Sequence, residues 1–206
     1  MGNEKKLLEE MLVRHPELEC LQEKIEEAVS IIIESYENKG TLLTCGNGGS
    51  EADSDHIVGE LMKGFYKKRK LEGEEAVLYG ELAENLQGAL PAIALTQHSA
   101  LISAFANDVD PDMVYAQQVY GYGKKGDVLI GITTSGNSRN VCLAAEVAKK
   151  KGLKVIGFTG EKGGRLKELC DVCINVPEQV TAFVQEKHII VYHTICAMIE
   201  EHFYSE

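Results

Sequence analysis

Hydrophobic residues recur at helical spacing near the start of the chain. Pro16 suits the first turn of this segment, and Gly40 ends it. The spacing predicts one long amphipathic helix, preceded by a shorter helical arm before His15. Because such an arm cannot bury its apolar face alone, we expect the N-terminal helices to pack in an oligomer. The residues that carry the pattern are Leu18, Leu21, Ile25, Ala28, Val29, Ile32, Ile33 and Tyr36.

Short apolar segments alternate with helical stretches along the rest of the chain. The strand-like segments are residues 41–45, 91–96, 127–133, 154–159 and 171–176. The helical stretches are residues 52–65, 99–106, 140–151 and 183–203. Strands that are apolar nearly throughout are typical of a parallel sheet covered on both faces. We therefore predict an α/β protein, a three-layer doubly wound sandwich with a five-stranded parallel sheet. It forms one domain over residues 1–206, with a helical arm over about residues 1–38.

Residues 66–88 fit neither pattern. Four consecutive basic residues, Lys67-Lys68-Arg69-Lys70, are followed by Glu72, Glu74 and Glu75. A run of charges usually marks a solvated face, which favours an exposed surface excursion. The alternative interpretation is a lid or a subunit contact near the substrate.

Charge and composition narrow the classes of function. The 206 residues include 21 Lys and Arg against 32 Asp and Glu, which gives a formal net charge of −11. This acidic excess argues against nucleic-acid binding as the main function, because phosphate backbones are bound by basic surfaces. No apolar segment has the roughly 20 residues that a membrane helix needs, and the N-terminus lacks the apolar core of a signal peptide. We therefore expect a cytoplasmic protein that contacts no membrane and keeps its six cysteines reduced.

Two polar loops each follow a predicted strand and precede a predicted helix. In an open parallel sheet, ligands bind beyond the carboxyl ends of the strands. Backbone N–H groups freed by glycines, hydroxyls and helix N-termini together suit a phosphate group. Neither loop matches the dinucleotide fingerprint or the P-loop. The sequence therefore predicts a phosphorylated ligand held by the loops Cys45-Gly46-Asn47-Gly48-Gly49-Ser50 and Thr133-Thr134-Ser135-Gly136-Asn137-Ser138.

Four further residues carry candidate chemistry on two predicted helices. His56 and Glu60 are four residues apart and share one helix face. Gln185 and His193 are eight residues apart on the last helix and also lie near one face. These nitrogen and oxygen donors could form a metal site. Glu60 as base and His193 as acid could equally transfer a proton at a carbon next to a carbonyl. The spacing alone leaves both interpretations open.

Several of these motifs together resemble the phosphoheptose isomerases of the sugar isomerase (SIS) domain superfamily. The resemblance begins at about Leu18, continues to the C-terminus and implies the SIS type of parallel-sheet fold. The segments that carry it, in the order of the family, are Gly46-Asn47-Gly48-Gly49-Ser50 with His56 and Glu60-Leu61, Asn107-Asp108, Gly126-Asp127-Val128-Leu129, Thr134-Ser135-Gly136-Asn137-Ser138, Gly152-Leu153-Lys154-Val155-Ile156, and Gln185-Glu186 with His188 and His193.

The resemblance implies an aldose–ketose isomerase that converts sedoheptulose 7-phosphate into D-glycero-D-manno-heptose 7-phosphate through an enediol. Glu60 would then be the catalytic base and His193 the acid. Some members place zinc on the equivalents of His56, Glu60, Gln185 and His193. Members are homotetramers with sites at subunit interfaces. The phosphate would be held by Thr133, Thr134, Ser135 and Ser138, and the sugar by Asn47, Gly48, Gly49, Ser50, Asn107, Asp108 and Gln185.

The chain departs from the pattern of the family at the rim of the expected site. Thr133 stands where the family usually has Ser, Phe183-Val184 replace Arg-Ile, and Gly64-Phe65 replace an Arg followed by an aromatic residue. These changes leave open which sugar phosphate is the substrate. An isomerase of another sugar phosphate is therefore one alternative. A non-catalytic SIS protein that binds a phosphosugar or a replication initiator is the other, although the initiator-binding relatives lack the Glu and the second His.

Overall fold

Five parallel strands form the centre of the computed structural model, which describes residues 2–205. The strands lie side by side in the order β2-β1-β3-β4-β5, and this arrangement confirms the predicted doubly wound parallel sheet. The register pairs Leu42 with Val128 and Val128 with Lys154. The strands are β1 (Leu42–Cys45), β2 (Ala92–Ala94), β3 (Val128–Ile132), β4 (Lys154–Thr159) and β5 (Val172–Asn175).

Alternate residues of each strand enter two separate hydrophobic cores, one on each face of the sheet. Leu42 and Ile130 belong to one core, and Leu43 and Leu129 belong to the other. A side chain points to opposite faces at successive strand positions, so a sheet covered on both sides needs apolar residues at almost every position. This requirement explains the continuous apolar segments of the sequence.

Helices cover both faces of the sheet. The first core includes residues of α1, α2, α3 and α9. The second includes residues of α6, α7 and α8, and α5 packs against it. The helices are α1 (Gly2–Arg14), α2 (Gln22–Glu37), α3 (Gly49–Met62), α4 (Gly73–Tyr79), α5 (Ser99–Asp108), α6 (Val114–Tyr122), α7 (Arg139–Lys151), α8 (Gly164–Leu169) and α9 (Thr181–Tyr204). Short 3-10 turns lie at Pro16–Leu21, Gly80–Glu84 and Pro111–Met113.

The N-terminal segment is divided differently from the prediction, and its packing in an oligomer stays a prediction. The expected single long helix is split, because Pro16–Leu21 forms a 3-10 turn before α2 begins at Gln22. Helix α1 packs on α9 of the same chain and buries Leu8 and Met11 almost completely. The helical arm therefore finds a partner for its apolar face within its own chain.

The region between residues 107 and 126 holds a helix that the pattern did not predict. Helix α6 buries Val114, Tyr115, Gln118 and Val119, and it packs on α7. These positions do follow helical spacing, but the element is only nine residues long. Along residues 2–205, none of the helices has the length and apolar character needed to cross a membrane.

Candidate active site

The order of the strands places the two polar loops side by side. After β1 the chain adds β2 on one side, and it then returns to add β3 on the other side. The carboxyl ends of β1 and β3 therefore flank the point where the strand order reverses, which is where open α/β sheets bind their ligands. The loop from Gly46 to Ser50 follows β1, and the loop from Thr133 to Ser138 follows β3.

The first loop exposes its backbone at Gly48. This residue has a φ of +58°, and a Cβ added there would meet no other atom within 4 Å. Only glycine adopts such a conformation at little cost. Asn47 holds the loop in place by exchanging two amide hydrogen bonds with Asn140 of α7, at 2.9 and 3.0 Å. The Tyr115 hydroxyl also donates to the Gly46 carbonyl at 2.6 Å. Ser50 is buried at the start of α3.

The second loop is a tight turn lined with hydroxyls. Thr133 Oγ1 lies 2.8 Å from Ser138 Oγ and 3.4 Å from Ser135 Oγ. Ser135 Oγ also accepts the backbone N–H of Asn137 at 3.1 Å. Gly136 has a φ of +70°, and a Cβ there would stand 2.0 Å from the carbonyl oxygen of Gly163. The turn thus gathers three hydroxyls at the N-terminus of α7, where the helix dipole favours an anion.

Two histidines and a glutamate from α3 and α9 form a tight cluster. His56 Nε2 lies 3.0 Å from Glu60 Oε1 and 3.4 Å from His193 Nε2. The Glu60 side chain is only 11% exposed, and its Oε2 accepts a hydrogen bond from Lys63 Nζ at 3.0 Å. Burial lowers the pKa of His193, the neighbouring His56 lowers it further, and Glu60 opposes both effects. The cluster therefore combines a largely buried carboxylate with a histidine that releases its proton more readily than usual.

A second layer of hydrogen bonds supports His56. Its Nδ1 lies 2.9 Å from the Tyr192 hydroxyl, which donates to Asp53 Oδ1 at 3.2 Å. Burial raises the pKa of Asp53, whereas the hydrogen bond from Tyr192 lowers it. The edges of the Tyr192 and His193 rings both contact the imidazole of His56. The side chain of His56 is thus oriented by its neighbours on both helices.

The donor atoms of the cluster suit a divalent transition metal. One oxygen or nitrogen atom from each of His56, Glu60 and His193 lies within 4.8 Å of the others. Zinc binds nitrogen and carboxylate ligands at about 2.0–2.2 Å, so neighbouring ligands of a tetrahedral zinc stand roughly 3.3 Å apart. The separations of 3.0 and 3.4 Å are close to this value. The three residues therefore fit the predicted zinc and leave a fourth position to be supplied.

Three predicted site residues lie away from this cluster within the chain. The Gln185 amide packs against Gly49, where an added Cβ would stand 2.3 Å from its nitrogen. Gln185 is eight residues before His193, about 12 Å along α9. Asn107 and Asp108 are exposed at the end of α5, where the Asn107 amide donates to the Asp108 carboxylate at 2.8 Å.

A buried ion pair that the sequence did not reveal anchors the end of α3. Arg69 Nε donates to Glu200 Oε1 at 2.7 Å, with the two side chains 0% and 1% exposed. Arg69 also donates to the carbonyls of Leu61 at 2.7 Å and Glu60 at 3.1 Å. Arg69, in the first part of residues 66–88, thus holds the end of α3. The interpretation of the basic run as a solvated face is therefore wrong at Arg69. Farther along, Val77 and Leu82 are exposed.

Some of these residues had a signal in the sequence and others had none. Asn140 stands in the first turn of a predicted helix beside a predicted phosphate loop, so an asparagine with a site role could have been suspected there. Tyr192 lies among apolar residues of α9 and resembles an ordinary core position. Arg69 and Glu200 are 131 residues apart, and nothing in either local sequence indicates that they pair.

Comparison with known proteins identifies relatives of this chain. A family model described as SIS domain matches residues 9–88 and 74–160. The chain is similar to the phosphoheptose isomerase of a Nitratiruptor species, with 43% identity over 200 residues that cover 97% of each protein. It is also similar to the solved structure of the phosphoheptose isomerase from Neisseria gonorrhoeae, with a TM-score of 0.76, 34% identity and coverage of 94% of this chain and 95% of that one. The Francisella tularensis phosphoheptose isomerase gives a TM-score of 0.74 and 32% identity over 86% of this chain and 85% of its own.

Proposed function

The chain belongs to the SIS domain family and, within it, to the phosphoheptose isomerases, and we infer from this that its substrate is sedoheptulose 7-phosphate. It is an intramolecular aldose–ketose isomerase, and its product is D-glycero-D-manno-heptose 7-phosphate. The observation that links this function to particular residues is that Glu60 and His193 converge around His56, on a fold with two loops suited to binding an anion.

The proposed reaction moves one proton between neighbouring carbons. Glu60 takes the proton from C1 of the ketose while His193 gives a proton to the carbonyl oxygen at C2, and an enediol results. Return of the carbon-bound proton to C2, with loss of the proton on the C1 oxygen, gives the aldose. Lys63 Nζ donates to Glu60 Oε2 at 3.0 Å, a contact that helps to hold the carboxylate in place.

We propose that the substrate phosphate binds the hydroxyls of Thr133, Thr134, Ser135 and Ser138. The sugar would then extend past the first loop, formed by Asn47, Gly48, Gly49 and Ser50, toward the cluster on α3 and α9. Gly49 and His56 are seven residues apart on α3, about 10 Å. C1 and C2 lie at the opposite end of the substrate from its phosphate, so a reacting cluster well removed from the hydroxyl loop suits a long sugar chain.

We propose that His56, Glu60 and His193 hold zinc, with Gln185 as the fourth ligand after its side chain moves from Gly49. Zinc bound there would polarise the substrate oxygens and so make the carbon-bound proton more acidic. The chain's own contribution is to orient His56 and to keep Glu60 largely shielded from water. Elemental analysis after gentle purification should find about one zinc per chain, and an active preparation without metal would contradict this part of the proposal.

We propose a homotetramer in which Asn107 and Asp108 reach the substrate of a neighbouring subunit. Exposed apolar side chains in the 66–88 stretch, including Val77, Leu78 and Leu82, support assembly, because monomers rarely expose clusters of this kind. Light scattering on the purified protein tests the assembly directly. The expected cytoplasmic location stays a prediction.

A panel of phosphorylated ketoses with five, six and seven carbons tests the substrate. The account predicts clear preference for sedoheptulose 7-phosphate, with the aldose as product. Equal rates on all members would contradict a heptose-specific site and favour a broader sugar phosphate isomerase. No turnover of any member, with or without added zinc, would favour a non-catalytic phosphosugar-binding protein.

A further inference from the structure

We propose that the hydroxyl of Tyr192 sets the tautomer of His56 and thereby leaves His56 Nε2 free for the reacting cluster. Tyr192 is then a positioning residue: it acts through His56 and contacts neither substrate nor metal. The proposal rests on the proposed function of the cluster, but the hydrogen-bond argument concerns residues of the free protein.

The argument begins with the single hydrogen of the Tyr192 hydroxyl. This hydroxyl lies between Asp53 Oδ1 at 3.2 Å and His56 Nδ1 at 2.9 Å. An ionised carboxylate has no hydrogen to donate, so it can only accept. The hydroxyl hydrogen therefore goes to Asp53, and the hydroxyl oxygen must accept from His56. This assignment requires a hydrogen on Nδ1 of His56.

The position of that hydrogen decides the chemistry on the other side of the ring. A neutral imidazole carries one hydrogen, so with Nδ1 protonated the Nε2 atom presents a lone pair. Glu60 Oε1 at 3.0 Å and His193 Nε2 at 3.4 Å surround the same atom, so a cation bound among them would take up this lone pair and relieve its repulsion with the carboxylate. In the opposite tautomer, Nε2–H would donate to Glu60 and occupy the carboxylate of the proposed base. Tyr192 thus favours the tautomer in which Nε2 is available as a metal ligand, against the Nε2–H donation to Glu60 that the 3.0 Å contact would otherwise allow.

The surrounding core holds Tyr192 in this arrangement. Its side chain is fully buried in the core between α3 and α9. The ring meets the His56 imidazole edge-on at 5.6 Å and the His193 imidazole at 5.0 Å between centroids. Water therefore has little access to the hydroxyl, so solvent does not readily replace either of its two hydrogen bonds. Outer hydrogen bonds of this type commonly orient a metal-binding histidine.

The experiment compares the His56 tautomer in the wild type, Tyr192→Phe and a matched control. Imidazole ¹⁵N NMR of the metal-free protein distinguishes Nδ1–H from Nε2–H, and His56→Gln assigns the His56 signals. We expect Nδ1–H in the wild type and mainly Nε2–H in Tyr192→Phe. The control is Tyr36→Phe, because Tyr36 is also a buried tyrosine, and its hydroxyl has no hydrogen-bond partner among residues 2–205. It should retain the tautomer of the wild type.

Zinc affinity, measured by competition with a chromophoric chelator, gives a second readout. We expect Tyr192→Phe to bind zinc about 10–100-fold more weakly, and Tyr36→Phe to bind as tightly as the wild type. Nε2–H without Nδ1–H at His56 in the wild type would overturn the proposal even if Tyr192→Phe does not fold. An unchanged Nδ1–H in folded Tyr192→Phe would also overturn it. Should the wild type bind no zinc, the proposed metal site fails, and the tautomer measurement alone decides the role of Tyr192.

Discussion

The buried ion pair between Arg69 and Glu200 gives the sharpest test of how the active-site helix is held. We predict that Arg69→Met strongly lowers the free energy of unfolding. The substitution keeps an apolar stem of similar length but removes the guanidinium, which bonds Glu200 at 2.7 Å and the carbonyls of Leu61 and Glu60 at 2.7 and 3.1 Å. One carboxylate and two backbone acceptors lose a donor at once.

The size of the effect follows from burial. Both side chains are fully inside the protein, and removal of one partner from a buried pair typically costs about 3–5 kcal/mol, because the other charge stays buried. Three backbone N–H groups, from Phe65, Tyr66 and Lys67, still donate to Glu200. These charge-assisted hydrogen bonds soften the loss, so we expect a cost near the lower end of that range, about 3 kcal/mol.

Urea unfolding at fixed protein concentration measures this free energy. The matched control is Lys154→Met, which removes an exposed ion pair with Asp171 at 3.3 Å. We expect the control to cost less than about 1 kcal/mol, as exposed pairs usually do. An Arg69→Met protein within about 1 kcal/mol of the wild type, the range of an exposed pair, would refute the view that this pair anchors α3.

Three further predictions concern His188 and the two loops. Burial lowers the pKa of His188 to about 4, so as the pH falls below about 6.5 this histidine is protonated in the unfolded chain before it is protonated in the folded one. Between pH 7.5 and pH 5 the free energy of unfolding of the wild type should therefore fall by about 2 kcal/mol, and denaturation of His188→Gln should not show this loss. Asn140→Ala removes both amide hydrogen bonds to Asn47 and should raise the KM for the sugar phosphate about tenfold in steady-state assays, since two hydrogen bonds contribute roughly 1–2 kcal/mol. An unchanged KM would argue against a role for the first loop. Gly136→Ala drives a Cβ toward Gly163 at a positive φ, so it should lower the melting temperature and raise KM together, and a fully stable variant with normal KM would contradict the turn geometry.

The fold followed from the sequence wherever local signals were strong. The segment 154–159 is the strand Lys154–Thr159, because a doubly covered strand must be apolar at nearly every position. Gly152 adopts the left-handed conformation that ends α7, as its place after a helical pattern indicated. The neighbouring placement of the two loops also follows, since parallel strands present their carboxyl ends at one edge of the sheet.

Local sequence patterns could not predict contacts between distant segments. Arg69 lies in a basic run that usually indicates solvent exposure, yet its partner Glu200 comes from the far end of α9. Tyr192 looks like a core residue, and only the packing of α3 on α9 shows that its hydroxyl bridges Asp53 and His56. The predicted single N-terminal helix failed for a local reason: Pro16 initiates a tighter 3-10 turn that precedes α2.

The isomerisation rate of Glu60→Gln tests the central claim most directly. Gln keeps the shape of the side chain but cannot accept the carbon-bound proton, and positioned general bases contribute roughly 10²–10⁴-fold to such steps. With sedoheptulose 7-phosphate as substrate, we predict that kcat falls at least about 100-fold. The control Glu27→Gln, at an exposed position of α2, should keep the rate of the wild type. A folded Glu60→Gln protein that turns over as fast as the wild type would contradict the account.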